Sequence, residues 1–180
     1  MISKVYKTKF SEVKLFKIKT FKDHRGYFEE IFNKKELNNK LKINFETKMV
    51  CSSFSKKNVI RGFHYQVKKP LKQMVFVKKG KIIDVVVDIR KKSKTFGRYE
   101  SFILSEKNNR ILYMPEGFAH GFYAIEKENL IIYNLSEYFN KTLDSGIKWN
   151  DKQINFKWPT KKPIISKKDM NHPLLQDAKF

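Results

Sequence analysis

The feature that most constrains the fold is a series of short β-branched and aromatic segments in the second half of the chain. Turn residues such as Asn108-Asn109 and Pro115-Glu116-Gly117 separate them. Many short strands at regular spacing predict an all-β sandwich or barrel. The predicted strands cover residues 74–77, 81–89, 99–104, 110–114, 121–125 and 130–134. The first two flank Lys78-Lys79-Gly80 and are predicted to form a hairpin. Helices are expected only at 34–39 and around 166–169, where Ser166 is a plausible cap.

The composition indicates one domain that spans residues 1–180. The chain is 41% hydrophobic with 16 Phe, which is too much core material for a disordered chain. No Gly- or Pro-rich linker and no internal repeat divides it. No apolar run approaches the ~20 residues of a membrane helix, and the N-terminal residues are interpreted as part of the fold. Cys51 is the only cysteine, which suits a reducing compartment, so we expect a cytoplasmic protein.

The charge is strongly positive, because 39 Lys and Arg face 18 Asp and Glu, for a formal net charge of +21. A basic nucleic-acid-binding module is therefore one alternative. That module would interleave aromatic residues with arginines on one face. Here the arginines are few and scattered, at positions 25, 61, 90, 98 and 110. The lysine excess is better explained by solubility and by attraction of anionic ligands.

Two histidines lie in unusual surroundings. His64 lies in Arg61-Gly62-Phe63-His64-Tyr65-Gln66, and His120 follows a Pro-x-Gly-x-x-His turn that resembles the second motif of cupins, β-barrels that often hold a metal. A metal needs three or more converging ligands, and Tyr65 and Gln66 stand where further ligands would be expected. We therefore expect no metal. Imidazole titrates near neutrality, so His64 is a candidate for proton transfer. A hydrogen-bonded core histidine is the alternative.

Several motifs together resemble the dTDP-4-dehydrorhamnose 3,5-epimerase family. They follow one another in the family's order from about residue 10 to 175. The resemblance rests on Asp23–Glu30, Arg61–Gln66, Asp84–Arg90, Ser93–Gly97, Pro115–Phe122, Trp149–Asp151 and Ser166–Asp169.

The resemblance implies a cupin-type jelly-roll β-barrel with a few short peripheral helices. It implies a homodimer that works without metal or cofactor on a nucleotide-diphosphate 4-keto sugar. A proton would be removed and returned from the opposite face at C3 and C5, which both flank the C4 ketone. A C3-only epimerase and a 3,4-ketoisomerase on the same scaffold are alternatives. A catalytically inactive sugar-binding barrel is another.

The resemblance also implies residue roles. His64 would be the general base, Asp169 its carboxylate partner and Tyr133 the general acid. The remaining positions would bind the substrate, and they are Arg25, Phe28, Glu30, Met49, Cys51, Arg61, Lys72, Gln73, His120, Asp144 and Lys168.

The sequence departs from the family pattern in three places. Gln73 stands where the family has a lysine, and Lys72 lies one residue earlier, so either could take that role. Met49-Val50-Cys51 replaces a Gln-Asp-Asn stretch, and Asp144 replaces a glutamate. These changes suggest a changed ligand, such as a guanosine diphosphate or a heptose, as a hypothesis.

Overall fold

Thirteen strands and two short helices make up the computed structural model, which describes residues 1–180. The strands are β1 (Ile2–Tyr6), β2 (Lys14–Ile18), β3 (Thr20–Asp23), β4 (Gly26–Glu29), β5 (Met49–Lys56), β6 (Ile60–Gln66), β7 (Gln73–Lys79), β8 (Lys81–Asp88), β9 (Tyr99–Ser105), β10 (Arg110–Met114), β11 (Phe118–Ala124), β12 (Glu128–Leu135) and β13 (Asp144–Gly146). The helices are α1 (Lys34–Leu41) and α2 (Lys167–Met170), and a 3₁₀ turn covers Leu175–Asp177.

The strands form two large antiparallel sheets and one hairpin. The six-stranded sheet has the order β1-β2-β10-β7-β12-β5, and the five-stranded sheet has the order β13-β6-β11-β8-β9. β3 and β4 pair only with each other. The two large sheets pack face to face as a jelly-roll barrel, so the predicted all-β class with a few short helices is confirmed.

Both faces of each sheet bury apolar side chains, which explains the continuous apolar runs in the sequence. In β7, Val75 and Val77 point into the cluster between the sheets. Met74 and Phe76 belong to a second cluster on the outer face, which the apolar side of α1 covers. Since successive side chains of a strand alternate between its faces, a strand that is covered on both sides shows no polar alternation.

The predicted hairpin at Gly80 is wrong, although both of its strands exist. β7 belongs to the six-stranded sheet and β8 to the five-stranded sheet, so the turn carries the chain from one sheet to the other. Gly80 has φ +83°, and a Cβ there would lie 2.2 Å from the carbonyl oxygen of Glu128. The Lys81 amide donates to Oδ1 of Asn129 at 3.0 Å. These contacts fix the turn as a corner of the barrel.

Before residue 74, where the sequence pattern predicts no strand, the structure has six. β5 is rich in serine and alternates half-buried with exposed residues, and β6 contains Gly62. Neither shows the β-branched run that identified the later strands.

The C-terminal segment covers the outer face of the five-stranded sheet. Ile154, Leu175 and Ala178 pack there against Phe63 and Val87. Within this segment Ser166 caps α2, and its Oγ accepts a hydrogen bond from the Asp169 amide at 3.0 Å. The predicted cap is confirmed, and it places Asp169 beside β6. No helix in the chain has both the length and the apolar character needed to cross a membrane.

Asp88, at the end of β8, anchors the following loop. Its carboxylate accepts hydrogen bonds from Arg90, Ser93 and Thr95, at 2.8, 2.6 and 2.6 Å to Oδ2. Burial raises the pKa of Asp88, but these donors outweigh burial and lower it to about 2.

Candidate active site

A cavity of about 330 Å³ opens between the two sheets. Residues from β5, β7 and β12 form one wall and residues from β6 and β11 form the other. Its lining combines aromatic and aliphatic side chains with charged and polar ones. The lining residues are Cys51, Arg61, His64, Tyr65, Gln66, Leu71, Gln73, His120, Phe122, Tyr133, Leu135, Phe139, Asp144 and Lys168.

His64 and Asp169 form a hydrogen-bonded pair at the cavity wall. Nε2 of His64 lies 3.0 Å from Oδ1 of Asp169, and the Gly62 amide donates to Oδ2 at 3.1 Å. Because a carboxylate accepts, Nε2 carries the proton and Nδ1 keeps the lone pair. Burial would raise the pKa of Asp169, but the neighbouring imidazoles of His172 and His64 outweigh burial and hold it well below its usual range. The carboxylate therefore stays ionised and orients the ring.

Tyr133 faces the same cavity from β12, in the opposite sheet. Its hydroxyl lies 2.9 Å from Oγ of Ser53 on the neighbouring β5. Burial raises the pKa of Tyr133 well above its ordinary value, against the lowering effect of the Ser53 hydrogen bond. The phenol is therefore protonated at neutral pH and able to donate a proton.

His120 and Asp84 form a second imidazole–carboxylate pair inside the barrel. Nε2 of His120 lies 2.8 Å from Oδ2 of Asp84, and both side chains are buried. The ring centroid of His120 is 6.3 Å from that of Tyr133. This pair places a second hydrogen-bonding ring next to the phenol.

Two cations border the cavity. Nε of Arg61 donates to Oγ of Ser55 at 3.1 Å and Nη2 donates to the Phe54 carbonyl at 3.2 Å, which leaves Nη1 of the guanidinium available to a ligand. Lys168 forms an ion pair with Asp144. Both groups suit an anionic ligand such as a diphosphate.

Of the two residues that could replace the family lysine, only Gln73 lines the cavity. The inward face of β7 carries Gln73, Val75 and Val77. Lys72 lies one residue before the strand, where the alternation of side chains assigns it to the opposite face. The Lys72 amide instead donates to Oγ of Ser136 at 2.9 Å.

Several residues named as substrate-binding lie outside the cavity of their own chain. Arg25 pairs with Asp23 on the β3–β4 hairpin, and Glu30 binds the amino group of Met1. Phe28 is 68% exposed. Met49 and Lys72 also do not line the cavity.

Besides lining residues such as Leu71 and Phe139, three polar side chains that contact the candidate site residues from behind were not singled out from the sequence. Ser53 lies two residues from Cys51 in β5 and so shares its inward face. Asp84 interrupts the apolar run of β8. An isolated carboxylate in such a run indicates a buried polar partner, which here is His120. Nothing in the sequence indicates that His172 approaches Asp169.

His64 and Tyr133 reach the cavity from opposite sheets. A ring held between them would have an ionisable base on one face and a protonated phenol on the other. This arrangement can remove a proton from a carbon acid and replace it from the other side.

The comparisons with known proteins agree on one family. The sequence profile described as dTDP-4-dehydrorhamnose 3,5-epimerase matches residues 7–177. A Shigella flexneri protein of that name is 40% identical, with 98% of each chain covered. A crystal structure of a Legionella pneumophila 3,5-epimerase in complex with dTDP-4-keto-L-rhamnose superposes with a TM-score of 0.94 at 34% identity, covering 98% of this chain and 94% of that one. A Bacillus anthracis structure with TDP and PPi bound has a TM-score of 0.91 at 40% identity, covering 95% and 98%.

Proposed function

The chain belongs to the dTDP-4-dehydrorhamnose 3,5-epimerase family, and we propose that His64, Asp169 and Tyr133 carry out its reaction. It is a nucleotide-sugar epimerase that acts at C3 and C5 of a dTDP-linked 4-keto-6-deoxy sugar. The family assignment does not favour the C3-only epimerase, the ketoisomerase, the guanosine-linked substrate or the nucleic-acid module.

In the first half-reaction, Nδ1 of His64 removes a proton from a carbon next to the C4 ketone. The electron pair of the broken C–H bond moves to the C4 oxygen, and an enolate forms. Asp169 stabilises the resulting imidazolium through Nε2, at 3.0 Å. The ionised state of the buried Asp169 carboxylate supports the assignment of His64 as the base and Asp169 as its partner.

In the second half-reaction, the Tyr133 hydroxyl protonates the same carbon from the opposite face. This step inverts the centre and restores the ketone. His64 then loses its proton and Tyr133 regains one from solvent, so neither step changes an oxidation state. Repetition at the other carbon gives the double epimer.

The enolate oxygen needs a donor or a cation. We assign Gln73 to this role, with Arg61 nearby, because both line the cavity and Lys72 does not. A neutral amide makes a weaker hydrogen bond to an oxyanion than an ammonium does. We therefore expect a smaller stabilisation of the enolate than a lysine would supply.

The observation that carries the mechanism is the approach of His64 and Tyr133 from opposite sheets into one cavity. The test is turnover of dTDP-4-keto-6-deoxyglucose in deuterated water, followed by NMR. Wild type should place deuterium at both C3 and C5. His64→Asn should exchange neither, while Asp177→Asn, a change at an exposed site of the C-terminal segment, is the control. Unchanged turnover by His64→Asn would refute the assignment.

We also propose a homodimer in which each copy completes the other's site. β5 is an edge strand of the six-stranded sheet, and its outward residues Val50 and Phe54 are 61% and 50% exposed. On the hairpin, Tyr27 and Phe28 are 60% and 68% exposed. An open edge with apolar side chains favours association. A partner hairpin could then bring Arg25 to a cavity that it does not reach in its own chain.

Complementation tests this arrangement. Arg25→Ala and His64→Asn are purified separately and then unfolded and refolded together. A mixed dimer has one site with both native residues, so activity should rise above that of either variant alone. A monomer in analytical ultracentrifugation, or a mixture no more active than its parts, would exclude the shared site.

For its location we propose the cytoplasm. Cys51 is the only cysteine and is a free thiol. A free thiol is kept reduced in that compartment. Fractionation of cells that produce the chain would test the assignment.

A further inference from the structure

The side chains around Asp169 include one imidazole that transfers no proton in the proposed mechanism. His172 follows α2, and its Nε2 lies 3.6 Å from Oδ1 of Asp169. That nitrogen is buried and has no hydrogen-bond partner, and the side chain is only 8% exposed. A buried ring nitrogen without a partner is unfavourable, so its surroundings require an explanation.

Gly146 makes room for this ring. It pairs with His64 across β13 and β6. A Cβ on Gly146 would lie 2.4, 2.6 and 2.6 Å from Nε2, Cδ2 and Cε1 of His172. Because these three distances are nearly equal, the imidazole of His172 packs against Gly146 with the flat face of its ring. The part of the ring that lies over the glycine is the part around Nε2. The in-plane lone pair of Nε2 is therefore not blocked by Gly146.

From this juxtaposition we propose that His64, Asp169 and His172 form a binding site for Zn²⁺ that inhibits the enzyme. Their ligand atoms all lie within 4.8 Å of one another. Zinc bonds of about 2.0–2.2 Å in a tetrahedron separate the ligand atoms by about 3.3–3.5 Å. The two separations from Asp169 Oδ1, 3.0 Å to His64 and 3.6 Å to His172, bracket that value.

The donor set determines which metals fit. Two imidazoles and one carboxylate suit zinc and similar transition metals, whereas Mg²⁺ prefers oxygen ligands. The side chains of Asp169 and His172 are 5% and 8% exposed, while the His64 side chain is 36% exposed. The ion can therefore enter from the substrate cavity and keep its fourth position for water.

Inhibition follows from the proton on His64 and rests on the proposed role of that residue. Zinc on Nε2 takes the place of the hydrogen bond to Asp169. The single proton of the neutral ring must then sit on Nδ1, so Nδ1 has no lone pair left to accept a proton from the sugar. The metal is thus a competitor of the reaction and not its cofactor.

Titration calorimetry of tag-free protein with ZnCl₂ tests the site directly. Wild type should bind one zinc per chain, and MgCl₂ should give no saturable heat. His172→Asn should weaken zinc at least about tenfold. Gly146→Ala keeps every donor but displaces the ring, so it should weaken zinc as well. His24→Asn and Cys51→Ser, which change an exposed histidine and the cavity thiol, should bind as wild type does.

Two results would overturn the site. One is unchanged zinc affinity in both His172→Asn and Gly146→Ala, with circular dichroism showing that at least one is folded. The other is loss of binding in Cys51→Ser, which would place the metal on the thiol.

Activity measurements test the zinc site and the assigned role of His64 separately. Zinc should inhibit wild type reversibly, EDTA should restore turnover, and His172→Asn should need at least about tenfold more zinc for the same fractional inhibition. Stoichiometric binding without inhibition would leave the site standing and refute His64 as the base.

Discussion

Replacement of Asp169 by asparagine tests the central pair of the site with the smallest change of shape. Asparagine can still accept from the Gly62 amide, but its NH₂ would donate to Nε2 of His64. The ring proton would then move to Nδ1, which removes the lone pair that the reaction needs. Reversing this tautomer costs about 1 kcal/mol, the net value of one neutral hydrogen bond. Loss of the bond between imidazolium and carboxylate costs up to about 3 kcal/mol more.

Together these effects amount to at most about 4 kcal/mol, so kcat should fall by up to about a thousandfold. The assay is initial-rate deuterium incorporation at C3 and C5, read by NMR under saturating substrate. Asp177→Asn makes the same chemical change at an exposed site of the C-terminal segment and should keep the wild-type rate. A folded Asp169→Asn variant that retains more than a tenth of wild-type kcat would show that His64 does not depend on this carboxylate.

Three further outcomes are expected. Tyr133→Phe should still exchange a substrate proton for deuterium but should lose inversion, because the acid on the far face is missing; inverted product at the wild-type rate would remove Tyr133 from the mechanism. Gln73→Lys should raise kcat roughly tenfold, because a charged donor stabilises an enolate better, and Lys72→Ala should change little; the reverse pattern would assign the role to Lys72. Asp88→Asn should cost about 2 kcal/mol of unfolding free energy at pH 7, since the pKa of Asp88 is lowered from 3.8 to about 2 in the folded state. That contribution is complete above about pH 4 and disappears as the pH falls through 2. The unfolding free energies of wild type and Asp88→Asn, measured by urea titration, should therefore converge near pH 2. A difference in free energy that stays constant down to pH 2 would show that the lowered pKa of Asp88 is not its cause.

The later strands were predictable because their runs of valine, isoleucine and leucine are local signals. The sheet to which each strand belongs was not. The corner at Gly80 has the glycine and the flanking strands of a hairpin, and only the strand pairing, which places β7 and β8 in different sheets, separates the two interpretations. Among the earlier strands, β5 lacks such a run because it lies at an edge of its sheet and exposes every second side chain.

For the site, the sequence determined the chemistry available: an imidazole beside an arginine, a Pro-x-Gly-x-x-His turn, and a set of motifs in one family's order. Tertiary structure decided which of these groups meet. It placed Asp169 and His172 beside His64, and it put Gln73 rather than Lys72 in the cavity. It also left Arg25 and Phe28 outside the cavity of their own chain. The physical reason is that contacts between distant segments depend on sheet order and strand parity, which no local pattern of residues specifies.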